Sequence, residues 1–157
     1  TKDAYEHKVT IEWLLKELLP FCSFIDADPE PRIMSLPHVH HLGTEVTGQL
    51  SQPAASILEL VTALHPTPAV AGDPQTEALK IIKDIEGIDR RRYAGPVGWA
   101  DSSGNGEFAV GIRSAEIFRK QAHLYAGVGL VADSEPQSEL DETRSKFQTM
   151  LSTFLEL

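Results

Sequence analysis

Asp3 and Glu6 stand three residues apart near the start of the chain, and Glu139, Glu142 and Lys146 follow at i, i+3 and i+7 near its end. On helices each set falls on one side, because residues three and four apart are surface neighbours. Carboxylates brought together from two helices suit a hard cation such as Mg²⁺, which prefers oxygen ligands and keeps several of its waters. The competing explanation is a pair of solvated helix faces, on which acidic residues are ordinary. His38, His40 and His41 form a second cluster, with His38 and His40 on one face of a strand. That spacing is open to a transition metal, but no clear third ligand stands nearby, so a satisfied or surface histidine group is the alternative to zinc.

From Glu107 to Arg113, the large residues Phe108, Val110 and Ile112 alternate with Ala109, Gly111 and Arg113. A core face opposed to small residues and one arginine is the profile of a pocket wall that grips a carboxylate bidentately. An arginine salt-bridged at a strand end has the same pattern. Two further motifs fail on inspection. Asp101, Ser103, Asn105 and Gly106 imitate a calcium loop, but Ile112 occupies the position of its bidentate glutamate, so a hairpin turn is expected. Gly127-Val128-Gly129 with Ala132 fits a loose dinucleotide fingerprint, yet no helix opens there and Pro136 follows too soon.

The elements that must position these residues are legible in the periodicity. Val9, Trp13, Leu14 and Leu18 recur at helical spacing from Asp3 to Leu19, and Pro20 ends that helix. The stretch 26–31 is a turn-rich connector, and Arg32 to Leu50 is extended, with Gly43 and Gly48 as expected bulges. Pro53 opens a second helix whose stripe is Ile57, Leu60, Val61 and Leu64, and 65–72 is a constrained loop. Asp73 and Pro74 cap a third helix that Gly87 stops. Tyr93–Ala100 and Glu107–Ser114 form a hairpin, another strand region spans about 117–131, and Ser138 caps a final helix burying Leu140, Phe147, Met150, Leu151 and Phe154. Hairpins outnumber any βαβ pattern, so the class is α+β: a mainly antiparallel sheet packed with helices.

Composition narrows the function. The chain has 157 residues, 14 basic against 23 acidic, and a net charge of −9. Such a surface repels phosphate backbones and anionic membranes, so neither nucleic acid nor membrane is expected as a partner. Cys22 is the single cysteine, which excludes an internal disulfide and a cysteine-rich zinc site. No apolar run reaches the ~18–20 residues of a membrane span, and the expected compartment is cytoplasmic.

Seven ordered motifs give the chain a family resemblance. They are Lys2-Asp3-Ala4-Tyr5-Glu6-His7; His41-Leu42-Gly43-Thr44; His65 through Gly72; Asp89-Arg90 with Tyr93 through Trp99; Ile112-Arg113-Ser114-Ala115; Ala126 through Val131; and Ser134-Glu135-Pro136 through Lys146. In this order they resemble the chorismate-utilising enzymes, whose fold is that of anthranilate synthase component I, and among these the isochorismate-forming branch most. Residues 1–157 would then be the C-terminal part of a chorismate-binding catalytic domain, completed by an N-terminal part of the same enzyme.

The resemblance implies roles. Glu6 and Glu142 match the Mg²⁺ ligands, with Asp3 and Glu139 holding metal waters, and the metal would bind the ring carboxylate of chorismate. Tyr93 and Arg113 match residues that bind the enolpyruvyl carboxylate, and Gly127 and Gly129 match glycines whose amides approach the substrate. Lys146 matches a lysine near the ring carboxylate, and His41 a pocket histidine close to the ring. Ala69 stands where amine-transferring members and salicylate synthases usually carry threonine, which favours addition of water at C2 of chorismate to give isochorismate for menaquinone or siderophore synthesis. A salicylate synthase, or an anthranilate or aminodeoxychorismate synthase component I, is the alternative within the family; a binding fragment without turnover is the alternative outside enzymes. The family's general base and acid lie upstream of Lys2, so the fragment alone is expected to be inactive. Arg91 departs from the pattern, standing where relatives usually have glycine.

Overall fold

The computed structural model describes residues 2–36 and 39–155, and over these the chain is α+β. Helix α1 (Lys2–Leu18) ends just before Pro20, which has no N–H to continue the ladder. The expected connector at 26–31 is shorter than foreseen, because Cys22–Ala27 is a strand, β1. The extended stretch resolves into β2 (Arg32–Leu36), β3 (Val39–Gly43) and β4 (Val46–Leu50). β1 pairs antiparallel with β4, and β2 with β3. Gly43 and Gly48 are not bulges; the register shift lies between Cys22 and Phe24 on β1.

Helix α2 (Ile57–Leu64) starts later than Pro53, at a capping box. Ser56 accepts from the Glu59 amide at 3.3 Å, and Glu59 accepts from the Ser56 amide at 2.8 Å. The expected loop at 65–72 contains a helical turn, α3 (Pro68–Ala71), closed by Gly72 at φ 78°. Helix α4 (Gln75–Glu86) has Pro74 at its N-cap with no side-chain cap, so Asp73 does not act as foreseen; Gly87 ends it in the left-handed conformation at φ 64°.

Strands β5 (Pro96–Ala100) and β6 (Gly106–Val110) form the expected hairpin. The Asp101 carboxylate accepts from the Ser103 and Asn105 amides at 2.8 and 2.9 Å, so it is spent on the turn. The expected strand at 117–131 is instead a second hairpin, β7 (Ser114–Phe118) with β8 (Gln121–Tyr125), followed by an irregular segment. Helix α5 (Pro136–Leu155) is capped by Glu135, whose Oε2 accepts from the Gln137 and Ser138 amides at 2.9 and 3.0 Å. Ser138 therefore lies inside the helix, not at its cap.

Among the described residues the eight strands make four separate two-stranded ladders, all antiparallel, rather than one sheet. Two-stranded ribbons are marginal by themselves. The apolar stripes find little to bury against: among the described residues the buried hydrophobics are Ala71, Ala94 and Met150. Leu140 and Leu151, expected inside, are exposed, as are Ile33, Trp99 and Phe118. The accessible surface is 11576 Å² for 17.2 kDa, where a compact chain of that mass has about 7,800 Å². Among the described residues no helix is long and apolar enough to cross a membrane.

Candidate functional site

Despite this open architecture, the candidate residues converge. Helix α1 supplies Lys2, Asp3 and Glu6, and α5 supplies Glu139, Glu142 and Lys146. Lys2 joins the two helices. Its Nζ donates to both Glu139 oxygens at 2.6 Å, and lies 3.6 Å from Glu6 Oε1 and 3.7 Å from Glu142 Oε2. Glu139 is the one buried charged residue among those described, 7% exposed. The Lys2 hydrogen bond, a bond from Ser134 and the charges of Lys2 and Lys146 hold its carboxyl below the usual range, against the effect of burial. Burial opposes the charge on Lys2, but the Glu139 bond and the charges of Glu6, Glu139 and Glu142 raise its pKa above that of an ordinary lysine.

Whether these carboxylates fit a cation is tested by Glu6. Its Oε1 is buried and has no hydrogen-bond partner. A buried carboxylate oxygen without a donor is costly unless a positive charge meets it. Among the described residues no group of three or more His, Cys, Asp or Glu side chains forms a ready cage, so a cation here would have few protein ligands and keep waters, as Mg²⁺ does. The residues fit.

The two glycines of the segment after β8 have a packing role that their spacing did not reveal. A Cβ on Gly129 would lie 2.6 Å from Glu6 Oε2, and one on Gly127 would lie 2.8 Å from the Tyr93 hydroxyl. The Gly127 carbonyl accepts from Lys146 Nζ at 3.1 Å, and the same ammonium donates to Glu142 Oε1 at 2.6 Å. The segment is thus pressed between Tyr93, Glu6 and Lys146. Tyr93 stacks on Tyr125 with centroids 5.4 Å apart, and the Arg90 guanidinium lies 5.7 Å from its ring centre. Burial raises the Tyr93 pKa, with Arg90 opposing and Glu86 adding, so the hydroxyl stays a donor at neutral pH.

Arg113 reaches the site by a turn, not by the strand alternation expected of it. β6 ends at Val110, the Ile112 amide donates to the Val110 carbonyl at 2.9 Å, and Arg113 adopts φ 46°. Ile112 is thereby turned outward and exposed. Arg113 Nη2 lies 2.6 Å from His41 Nε2 on β3. A guanidinium only donates, so Nε2 accepts and the proton of the neutral ring is on Nδ1. Burial first, then the charges of Arg113 and Lys146, lower the His41 pKa below the ordinary histidine value.

His41, Asp3, Glu6 and Ala69 line one cleft of about 450 Å³, with His7, Thr10, Ile33 and Leu42. His7 Nε2 lies 2.7 Å from Thr44 Oγ1, which fixes that ring beside β3. Of the three-histidine cluster, His38 lies outside the described residues. Lys2 and Tyr125 had no role assigned from sequence; the i, i+4 spacing of Lys2 to Glu6 was the available signal for the first, and none existed for the second. Arg91, at the position usually occupied by glycine, has φ 49° and an ion pair to Glu116 at 3.1 Å.

A family profile described as "Chorismate binding enzyme" matches residues 1–155. The isochorismate synthase DhbC of Bacillus subtilis is 44% identical over 150 residues, 96% of this chain and 38% of that protein. The crystal structure of DhbC from Bacillus anthracis superposes with a TM-score of 0.94 at 46% identity, covering 98% of this chain and 41% of that one. The menaquinone-specific isochorismate synthase MenF of Escherichia coli superposes with a TM-score of 0.81 at 32% identity, over 94% and 34%. The chain therefore spans about two fifths or less of the length of these relatives. Carboxylates facing each other across α1 and α5, an arginine aimed inward by a turn, and a profile match over nearly every residue lead to one assignment: the chain belongs to the family of chorismate-binding enzymes.

Proposed function

We propose that the protein converts chorismate to isochorismate with Mg²⁺, and that this chain supplies the metal and substrate-carboxylate sites. The observation that carries the metal reading is the buried Glu6 Oε1, which has no hydrogen-bond partner and faces Glu139 and Glu142 across the Lys2 ammonium. Glu6 and Glu142 would hold the cation, with Asp3 and Glu139 on its waters. Bound there, Mg²⁺ supplies the positive charge that a substrate carboxylate needs inside a protein of charge −9.

The remaining roles follow from what each residue can donate. Arg113, with its other nitrogens beyond the one on His41, offers a guanidinium fork to the enolpyruvyl carboxylate, and the protonated Tyr93 hydroxyl adds a donor. Lys146 stands by the ring carboxylate, and the Gly127 and Gly129 backbones border the ring because no side chain intervenes. His41 orients Arg113 and walls the cleft. Ala69, at the rim of that cleft on α3, leaves room for water where a larger residue would crowd it.

The reaction adds water at C2, expels the C4 hydroxyl and shifts the ring double bonds, which needs a base for the water and an acid for the leaving group. Those two groups would come from the remainder of the protein. The relatives named above are isochorismate synthases, which supports this product over salicylate or an amine transfer. Chromatographic assay of the complete protein with chorismate tests the reading. Isochorismate should form with Mg²⁺ and vanish in chelator, and Glu6→Ala and Glu142→Ala should each abolish the metal response. Undiminished turnover in chelator would remove the metal, and absence of isochorismate would remove the reaction.

A further inference from the structure

We propose that Lys2 is the resident counter-ion of the carboxylate cradle between α1 and α5, and that a divalent cation binds by displacing it. Its ammonium lies 2.6 Å from each Glu139 oxygen, 3.6 Å from Glu6 Oε1 and 3.7 Å from Glu142 Oε2. Three carboxylates from two helices thus surround this one ammonium, and Glu142 alone of the three also pairs with Lys146. Nζ thus stands within 3.7 Å of both residues that would hold a cation, Glu6 and Glu142. Mg²⁺ needs oxygens at about 2.0–2.1 Å in an octahedron, and two cations that close repel each other strongly. A divalent cation on Glu6 and Glu142 would therefore be opposed for as long as Nζ keeps its seat.

Lys146 does not serve in this way. Its ammonium is directed to Glu142 Oε1 and to the Gly127 carbonyl, at the rim of the cradle. Lys2 has the geometry to leave, because it is held by a flexible four-carbon stem in the first turn of α1. Two consequences follow. With Lys2 seated, repulsion among Glu6, Glu139 and Glu142 is offset and α1 stays tied to α5. The cradle also demands a cation strong enough to evict an ammonium, which discriminates against monovalent ions. The inference rests on the proposal that Glu6 and Glu142 bind Mg²⁺.

The test is calorimetric titration of the complete protein with Mg²⁺ and with Mn²⁺, for wild type, Lys2→Met and Lys2→Arg, together with thermal melts in chelator and in saturating Mg²⁺. Losing the competitor removes roughly the strength of one or two charge-assisted hydrogen bonds. Lys2→Met should therefore bind Mg²⁺ roughly ten- to a hundredfold more tightly, about 1.4–2.8 kcal/mol. It should melt below wild type in chelator and level with it in Mg²⁺, whereas Lys2→Arg should keep the wild-type melt in chelator and bind Mg²⁺ more weakly. Equal or weaker Mg²⁺ binding by Lys2→Met, or a melting deficit that is the same with and without metal, overturns the proposal. If Lys2→Met does not fold, unchanged Mg²⁺ affinity in Lys2→Arg overturns it instead. Binding by Lys2→Met alone supports it, and no binding of either cation by any of the three proteins removes both the metal reading and this inference.

Discussion

Arg113 Nη2 donates to His41 Nε2 across 2.6 Å, joining the turn after β6 to strand β3 over a sequence separation of 72 residues. The bond fixes three things at once: the tautomer of the ring, the direction of the guanidinium, and the left-handed backbone of Arg113, at φ 46°, that aims it there. A non-glycine residue in that region costs roughly 1–2 kcal/mol, and backbone strain of this kind concentrates at functional sites.

His41 and Arg113 should therefore act as a unit. Arg113→Lys should raise KM for chorismate more than about tenfold, because an ammonium cannot keep both the histidine contact and a carboxylate fork. His41→Phe should raise it as well, and the double variant should cost clearly less than the sum of the two. Additive effects in a steady-state double-mutant cycle would separate the two residues.

The lowered His41 pKa has a definite sign for stability. Folded His41 gives up its proton more readily than the unfolded residue, so the unfolded state binds more protons as pH falls below about 6.5. Stability should be full above that pH and decline below it, with Arg113 and Lys146 facing the ring and Asp3 and Glu6 lining the same cleft. His65, also lowered, by burial, adds a slope of the same sign. His41→Gln should remove only part of the decline; an identical melting profile between pH 5 and 7 would show that His41 is not its source.

Gly129→Ala places a methyl group on the Glu6 carboxylate, which is the movable end of a flexible side chain. Folding should survive, while Mg²⁺ affinity falls at least about tenfold, as for other residues that orient metal ligands. Melting curves paired with metal titration check this. Normal affinity would mean that Glu6 does not need its present position.

Arg91 occupies a left-handed position, φ 49°, that glycine adopts freely. Arg91→Gly should melt no lower than wild type even though the exposed pair with Glu116 is lost. Arg91→Val should melt lower, since a β-branched residue resists that conformation. Equal melting of the two variants would show that the backbone there is not what the arginine has to accommodate.

Local order was written in the sequence, and so was the pairing of chemistry with position. Period 3.6 along α1 and α5 put Asp3 with Glu6 and Glu139 with Glu142 on common faces, Gly87 ended α4, and the 101–106 turn joined β5 to β6, because each depends only on nearby residues. Motif order sufficed for the family. Residue pattern does not mark strand β1, since its partner β4 lies across an intervening hairpin, and it points to Ser138 as the cap where Glu135 serves, because caps depend on local backbone geometry that residue type alone does not fix. Leu140 and Leu151 belong to the periodic stripe yet are exposed, because such a stripe marks a face able to pack, while the surface it packs against is a tertiary matter. Only the fold could decide that Lys2 stands among three carboxylates, that Gly129 abuts Glu6, and that a turn at Ile112 reverses the alternation to bring Arg113 onto His41. Apart from Lys2 with Glu6, those contacts join residues from 72 positions apart, Arg113 with His41, upward, and at such separations proximity is set by how whole elements pack, which no local pattern encodes.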